Sequence, residues 1–167
     1  MSVFYLDTSV IVKRYRNEEG TAFVDHLFDT VIGSKDHSLT TSTLSILEFI
    51  AAMRRAQKGK VITQDHFENA VYIFNRELNH ISLRPISEEI LTRAIDVVMN
   101  HVLRTADAIH LSTVLELIEI MADFNETIIL ISNDKEMCQA ALNEGIKVLS
   151  AADNEIERLS SILCLDQ

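Results

Sequence analysis

The 167-residue sequence predicts one α/β domain, a three-layer α/β/α sandwich around a mainly parallel central sheet. Three observations carry that prediction. Val3-Phe4-Tyr5-Leu6 is an unbroken apolar run that ends in Asp7-Thr8-Ser9, the pattern of a strand covered on both faces. Thr127-Ile128-Ile129-Leu130-Ile131-Ser132 repeats the pattern late in the chain. Between and after these strands, apolar residues recur at helical spacing, as at positions 23, 24, 27, 28 and 31. Strands that alternate with helices build a parallel sheet with helices on both faces. Four glycines and one proline leave too little punctuation for a fold of many short strands.

Taken in order, the first strand feeds a helix through Tyr15, for which Thr8 or Ser9 is the expected cap. Asn17-Glu18-Glu19-Gly20 turns the chain into a helix over 21–31. His37 to Thr41 is a short second strand, and Ser42 or Thr43 caps a long helix that runs to Lys58, with Gly59 as its stop. Thr63 opens a helix to about Asn79, and Ile81 to Arg84 is a third strand closed by Pro85. Ser87, followed by Glu88 and Glu89, starts a helix that ends near Asn100. Arg104 to Ala122 is helical, the strand at 127–132 follows, and Asp134 to Asn143 is a helix ended by Gly145. Lys147-Val148-Leu149 forms an edge strand, and Asp153 to Leu163 a last amphipathic helix. No repeat, low-complexity tract or linker divides residues 1–167.

The net charge of −10 argues against non-specific coating of nucleic acid, which needs a broadly basic surface. It leaves room for a nuclease whose clustered carboxylates hold metal ions. Cys138 and Cys164 are far apart and form no CxxC pair, which suits a reducing compartment. Only Met-Ser precedes the first strand, and the apolar stretch from Val114 to Met121 is broken by Glu116 and Glu119. The expectation is a cytoplasmic protein with no targeting or membrane-spanning segment.

Candidate chemistry starts with acids in places that favour apolar residues. Asp7 follows the first strand, at the sheet edge where open α/β sheets place ligands. Leu44, Leu47 and Ala51 share a helical stripe, and Glu48 sits within it. Leu103, Ala106, Leu111 and Val114 form a second stripe that contains Asp107. Asp134 stands beyond the second strong strand as Asp7 stands beyond the first. A lone buried carboxylate costs several kcal/mol or takes up a proton, so acids retained in such places point to a shared counterion. Ligands that are all oxygen favour Mg²⁺ or Mn²⁺ over Zn²⁺. Singly, Asp7 and Asp134 also read as ordinary helix-terminal acids, Glu48 as a partner of Arg55, and Asp107 as a partner of Arg104.

The sequence resembles PIN-domain ribonucleases of the VapC toxin type. The resemblance lies in Leu6-Asp7-Thr8-Ser9-Val10 with Lys13, in Ser45-Ile46-Leu47-Glu48-Phe49, in Leu103-Arg104-Thr105-Ala106-Asp107-Ala108-Ile109-His110-Leu111, and in Ile131-Ser132-Asn133-Asp134. It spans the chain in the family's order, and the block around Asp107 is its most specific part. It implies that Asp7, Glu48, Asp107 and Asp134 are the family's acidic quartet. It also implies Mg²⁺- or Mn²⁺-dependent RNA cleavage, a homodimer, and a small antitoxin as partner. In that scheme Asp7 and Asp107 hold the metal most directly, while Glu48 and Asp134 complete its shell or orient water.

Thr8, Ser9 and Ser132 are candidates for contact with water or phosphate, with helix capping as the competing use. Lys13, Arg14 and Arg16 lie one to two turns beyond Asp7 and are candidates for phosphate contact. His110, one turn after Asp107, reads as a hydrogen-bonded, partly buried residue rather than a ligand, since no second histidine stands at ligand spacing. A haloacid-dehalogenase-type phosphatase is disfavoured because Ser9 occupies the place of its second aspartate. The rival from another class is a PIN-like module that binds RNA or protein without cutting.

Overall fold

The structure is a computed structural model that describes residues 1–124 and 126–164. Five parallel strands form one sheet: β1 (Ser2–Leu6), β2 (His37–Ser42), β3 (Ile81–Arg84), β4 (Thr127–Ile131) and β5 (Lys147–Leu149), in the spatial order β3-β2-β1-β4-β5. The helices are α1 (Thr8–Lys13), α2 (Thr21–Val31), α3 (Leu44–Lys58), α4 (Gln64–Glu77), α5 (Glu88–Asn100), α6 (Thr105–Met121), α7 (Lys135–Asn143) and α8 (Ile156–Cys164). The fold is the α/β/α sandwich expected, with the elements in the expected order.

The apolar run of β1 is central because side chains alternate across a strand and both faces are covered. Phe4 and Leu6 enter one core with Ile129 and Ile131 of β4, packed under α1, α2, α3, α4 and α8. Val3 and Tyr5 enter the other with Ile128 and Leu130, under α5, α6 and α7. Leu6 pairs with Ile131, so the carboxyl ends of β1 and β4 lie side by side. Among the described residues, no helix is long and apolar enough to cross a membrane.

Several local expectations are corrected. The first helix ends at Lys13 rather than Tyr15, and neither Thr8 nor Ser9 caps it; Asp7 occupies the cap position and makes no side-chain cap bond. Thr63, Ser87 and Asp134 do cap α4, α5 and α7, accepting from His66 N, Ile90 N and Met137 N. Gly59 is the C-cap of α3 as expected, with an ordinary negative φ; the left-handed residue at that turn is Lys60. Gly20, by contrast, is left-handed, and a Cβ there would run into the carbonyl oxygen of Ala151.

The buried faces of α3 and α6 differ in detail from the two stripes the spacing predicts. The face that α3 buries runs through Ser45, Phe49, Met53 and Ala56, while Leu47 is 68% exposed. Phe49 stacks on Phe74 at 4.0 Å between ring centroids, with Tyr15 edge-on to both, and this aromatic contact sets the rotation of the helix. Glu48 therefore flanks the buried face. Helix α6 has no single stripe: residues 108 to 114 are all buried, as expected of a helix enclosed between the sheet and its neighbours. Asp107 precedes that run in the first turn, half-buried.

Candidate active site: an acidic cleft at the sheet edge

A cleft of about 500 Å³ opens at the carboxyl edge of the sheet, lined by Asp7, Glu48, Asp107 and Asp134 together with Thr8, Ser9 and Asn133. Each acid arrives by a different element. Asp7 is the junction of β1 and α1, and its N–H donates to Ile131 O at 3.1 Å. Asp134 is the N-cap of α7, Asp107 lies in the first turn of α6, and Glu48 lies in the second turn of α3. Three of these acids stand at helix N-termini, where the helix dipole stabilises an anion by about 0.3–1 kcal/mol. That offsets part of their mutual repulsion.

Three of the acids share a pattern: one oxygen is held by the protein and the other is left over. Asp7 Oδ2 accepts from Ser9 Oγ at 2.5 Å and from Ser132 Oγ at 3.0 Å. Glu48 Oε2 accepts from Thr8 Oγ1 at 2.7 Å and from His110 Nε2 at 2.8 Å. Asp134 Oδ1 accepts from Met137 N at 2.9 Å. The buried Ser132 also accepts from Asp134 N at 3.1 Å, so one hydroxyl links the strand-end acids. Thr8, Ser9 and Ser132 are thus donors to the acids rather than caps of α1.

Electrostatics separate Glu48 from Asp107. Burial pushes the Glu48 carboxyl up, but the hydrogen bonds from His110 and Thr8, with the charge of Arg55, outweigh it and hold it below the usual range. Asp107 is pushed up, first by burial and then by the charges of Asp134 and Asp7. The acids of this cleft feel one another.

The cations are partly different from those expected. Arg14 does not line the cleft; its guanidinium is held by Asp25 at 2.9 Å and by Asp29 and Glu77 at 3.1 Å each, beside the ring of Phe28. Lys13 donates to Glu19 O at 2.6 Å and lies 3.6 Å from Glu18. Arg16, Arg55 and Arg104 are the cations that line the cleft. Arg16 pairs with Glu18, while neither Arg55 nor Arg104 is within ion-pair distance of a described carboxylate. Spacing was the available signal: Arg55 lies two turns after Glu48 on α3, and Arg104 one turn before Asp107.

The donor chemistry fits a hard divalent cation, since the four acids offer only oxygen. As the side chains stand, no three Asp, Glu, His or Cys residues among those described are close enough to share one ion. The fit rests on the oxygen donors left over and on the charge crowded around Asp107.

A parallel sandwich with acids gathered where β1 and β4 end defines a class of proteins with a polar site at the sheet edge. A family model of the PIN domain matches residues 4–143, and the chain belongs to the PIN-domain family. No curated protein matches it. Solved structures with the same fold include a chain of VapBC2 from Rickettsia felis bound to a promoter DNA fragment (10% identity, TM-score 0.58, 89% of this chain and 98% of that one). VapC20 of Mycobacterium tuberculosis, described as a sarcin-ricin loop cleaving toxin, is 14% identical with a TM-score of 0.57 over 82% of this chain and 94% of its own. PAE2754 of Pyrobaculum aerophilum is 15% identical with a TM-score of 0.54 over 99% of both chains.

Proposed function

We propose that this protein is a Mg²⁺- or Mn²⁺-dependent ribonuclease, the toxin of a type II toxin–antitoxin pair, with Asp7, Glu48, Asp107 and Asp134 as its catalytic acids. The observation that carries the reading is the meeting of these four carboxylates in one cleft of a PIN fold, with an oxygen of each left free. Structural neighbours described as VapBC and toxin–antitoxin complexes support a small antitoxin as partner.

Asp7 and Asp107 would hold the cation, with Glu48 and Asp134 completing its shell. A bound cation of this kind lowers the pKa of its water and offsets charge that builds on the phosphate oxygens. The chain's own contribution is orientation. Ser9 and Ser132 fix the Asp7 carboxylate, and Glu48 directs its remaining oxygen to where it can accept a proton from an attacking water. Arg55 and Arg104 bring positive charge to the rim for the phosphates on either side of the scissile bond.

A second copy of the chain is the expected oligomeric partner. The outer face of α5 exposes Ile95 (64%), Met99 (80%) and, just beyond its end, Val102 (90%). Leu91 and Val98 are exposed on the same helix, and exposed apolar side chains gathered on one face suit a surface for a second protein.

Incubating the purified protein with RNA, with Mn²⁺ or with chelator, tests the reading. Cleavage that needs the metal and disappears in Asp7→Asn and Asp107→Asn is the expected result. Near wild-type cleavage in either variant would remove that acid from the catalytic role. Retention of RNA without cutting would point to the binding module instead.

A further inference from the structure

We propose that His110 is a positioning residue for Glu48: its Nε2–H holds one oxygen of the Glu48 carboxylate so that the other faces the cleft. The inference rests on the nuclease reading for its consequence, and on a buried hydrogen-bond chain for its geometry.

His110 is 1% exposed and sits on α6 among apolar residues, while Glu48 belongs to α3 across the cleft. Its Nε2 lies 2.8 Å from Glu48 Oε2 and its Nδ1 lies 2.8 Å from the hydroxyl of the fully buried Tyr5. A carboxylate can only accept, so the hydrogen of this contact belongs to Nε2 whether or not the ring is protonated. In the neutral ring Nδ1 is then the acceptor, and the Tyr5 hydroxyl donates to it. The Glu48 carboxylate thus fixes the tautomer, and the buried Tyr5 hydroxyl satisfies the ring nitrogen left over.

The hydroxyls behind Thr8 continue the chain. Thr41 Oγ1 donates to Leu6 O at 2.7 Å, which uses its single hydrogen. The 2.6 Å contact between Ser45 and Thr41 must then be a donation by Ser45. Ser45 Oγ is left as an acceptor 3.1 Å from Thr8 Oγ1, and the shorter of the two contacts open to the Thr8 hydroxyl is with Glu48 Oε2, at 2.7 Å. Oε2 therefore receives two donors from residues buried behind it, and among the described residues Oε1 receives none. A glutamate on a helix has three torsions, and without such restraints it would turn to solvent. Residues that orient the groups around a metal typically influence affinity or activity 10–100-fold, although they never touch the metal.

The test begins with ring ¹⁵N spectra of the full chain in chelator, with no metal or RNA present. Hydrogen on Nε2 is expected; a bare Nε2 with hydrogen on Nδ1 alone overturns the proposal. Two variants then separate orientation from packing. Tyr5→Phe/His110→Leu removes both members of the inner pair, so that no buried hydroxyl is stranded. His110→Gln keeps an amide donor near the position of Nε2.

We expect the double variant to bind Mn²⁺ about 10–100-fold more weakly, with kcat reduced in proportion and KM for RNA unchanged, and His110→Gln to recover most of the loss. Equal behaviour of the two variants, or a change confined to KM, would overturn the assignment. If wild type neither binds Mn²⁺ nor cuts RNA, the nuclease reading fails, and the ring spectra alone decide whether His110 holds Glu48.

Discussion

The Ser132 hydroxyl donates to Oδ2 of Asp7 across 3.0 Å, tying the end of β4 to the end of β1 at the floor of the acidic cleft. The Ser132 Oγ in turn accepts the N–H of Asp134 at 3.1 Å. Ser132→Ala therefore removes one of the two hydroxyls that hold Asp7 and strands a backbone donor at once. The expected outcome is a loss of Mn²⁺ affinity of about tenfold or more and a stability loss of about 1 kcal/mol. Calorimetric titration with Mn²⁺ and thermal melts measure the two effects separately.

Asp107 gives the metal-free protein a distinctive pH dependence. Its carboxyl is raised, by burial first and by Asp134 and Asp7 after it. A carboxyl raised above its unfolded value costs stability when ionised. That cost is fully present above the folded value and fades as pH falls through it toward the unfolded value of about 3.9. In chelator, Asp107→Asn is expected to melt above wild type at neutral pH, with the gap closing as the solution is acidified. A variant that melts below wild type at neutral pH would refute the crowding of charge at this position.

Saturating Mn²⁺ reverses that order. A cation bound only by the folded cleft stabilises by mass action, about 2.7 kcal/mol at a hundredfold excess over Kd. Wild type is expected to gain melting temperature with added Mn²⁺, and Asp7→Asn and Asp107→Asn to gain little. An equal gain in all three would place the ion elsewhere.

Arg55 and Arg104 line the cleft without an ion-pair partner among the described residues. Their replacement by Ala is expected to raise KM for RNA with little change in kcat. Each should also lower the slope of log affinity against log salt by about 0.7, the value for one phosphate contact on a single strand. Arg14→Ala should behave differently: Arg14 is tied to Asp25, Asp29 and Glu77, so stability falls and the salt slope holds. Salt-dependent binding curves distinguish the two outcomes.

The outer face of α5 tests the homodimer. Met99→Glu or Ile95→Glu places a charge in the middle of the exposed apolar patch. Both are expected to give monomer at micromolar concentration in sedimentation experiments, with melting temperature otherwise close to wild type. A dimer that persists in both would move the interface to another face.

The fold was legible because its signals are local. The runs at Val3–Leu6 and Thr127–Ile131 and the caps at Thr63, Ser87 and Asp134 need no tertiary information. Helix rotation is not local. The exposed Leu47 looked like a core residue because 44, 47 and 51 make as good a stripe as 45, 49 and 53, and only the stacking of Phe49 on Phe74 decides between them. The four acids were visible as oddities of pattern, and the structure brings them to one cleft. The hydroxyls beside them were visible as residues but not as donors, since Thr8 and Ser9 serve caps elsewhere equally well. Arg14 was misplaced because its three partners lie on α2 and α4, which its own neighbourhood does not reveal.

The position of β1 between β2 and β4 has a consequence for how the protein is made. β1 pairs on one side with His37–Thr40, about thirty-five residues on, and on the other with Thr127–Ile131, more than a hundred residues on. A nascent chain halted before that point carries Asp7, Glu48 and Asp107 but lacks the strand, the Ser132 hydroxyl and the fourth carboxylate that assemble them. The cleft therefore gathers only once β4 has docked beside β1, and a chain that stops short of Thr127 carries three of its carboxylates without the frame that holds them together.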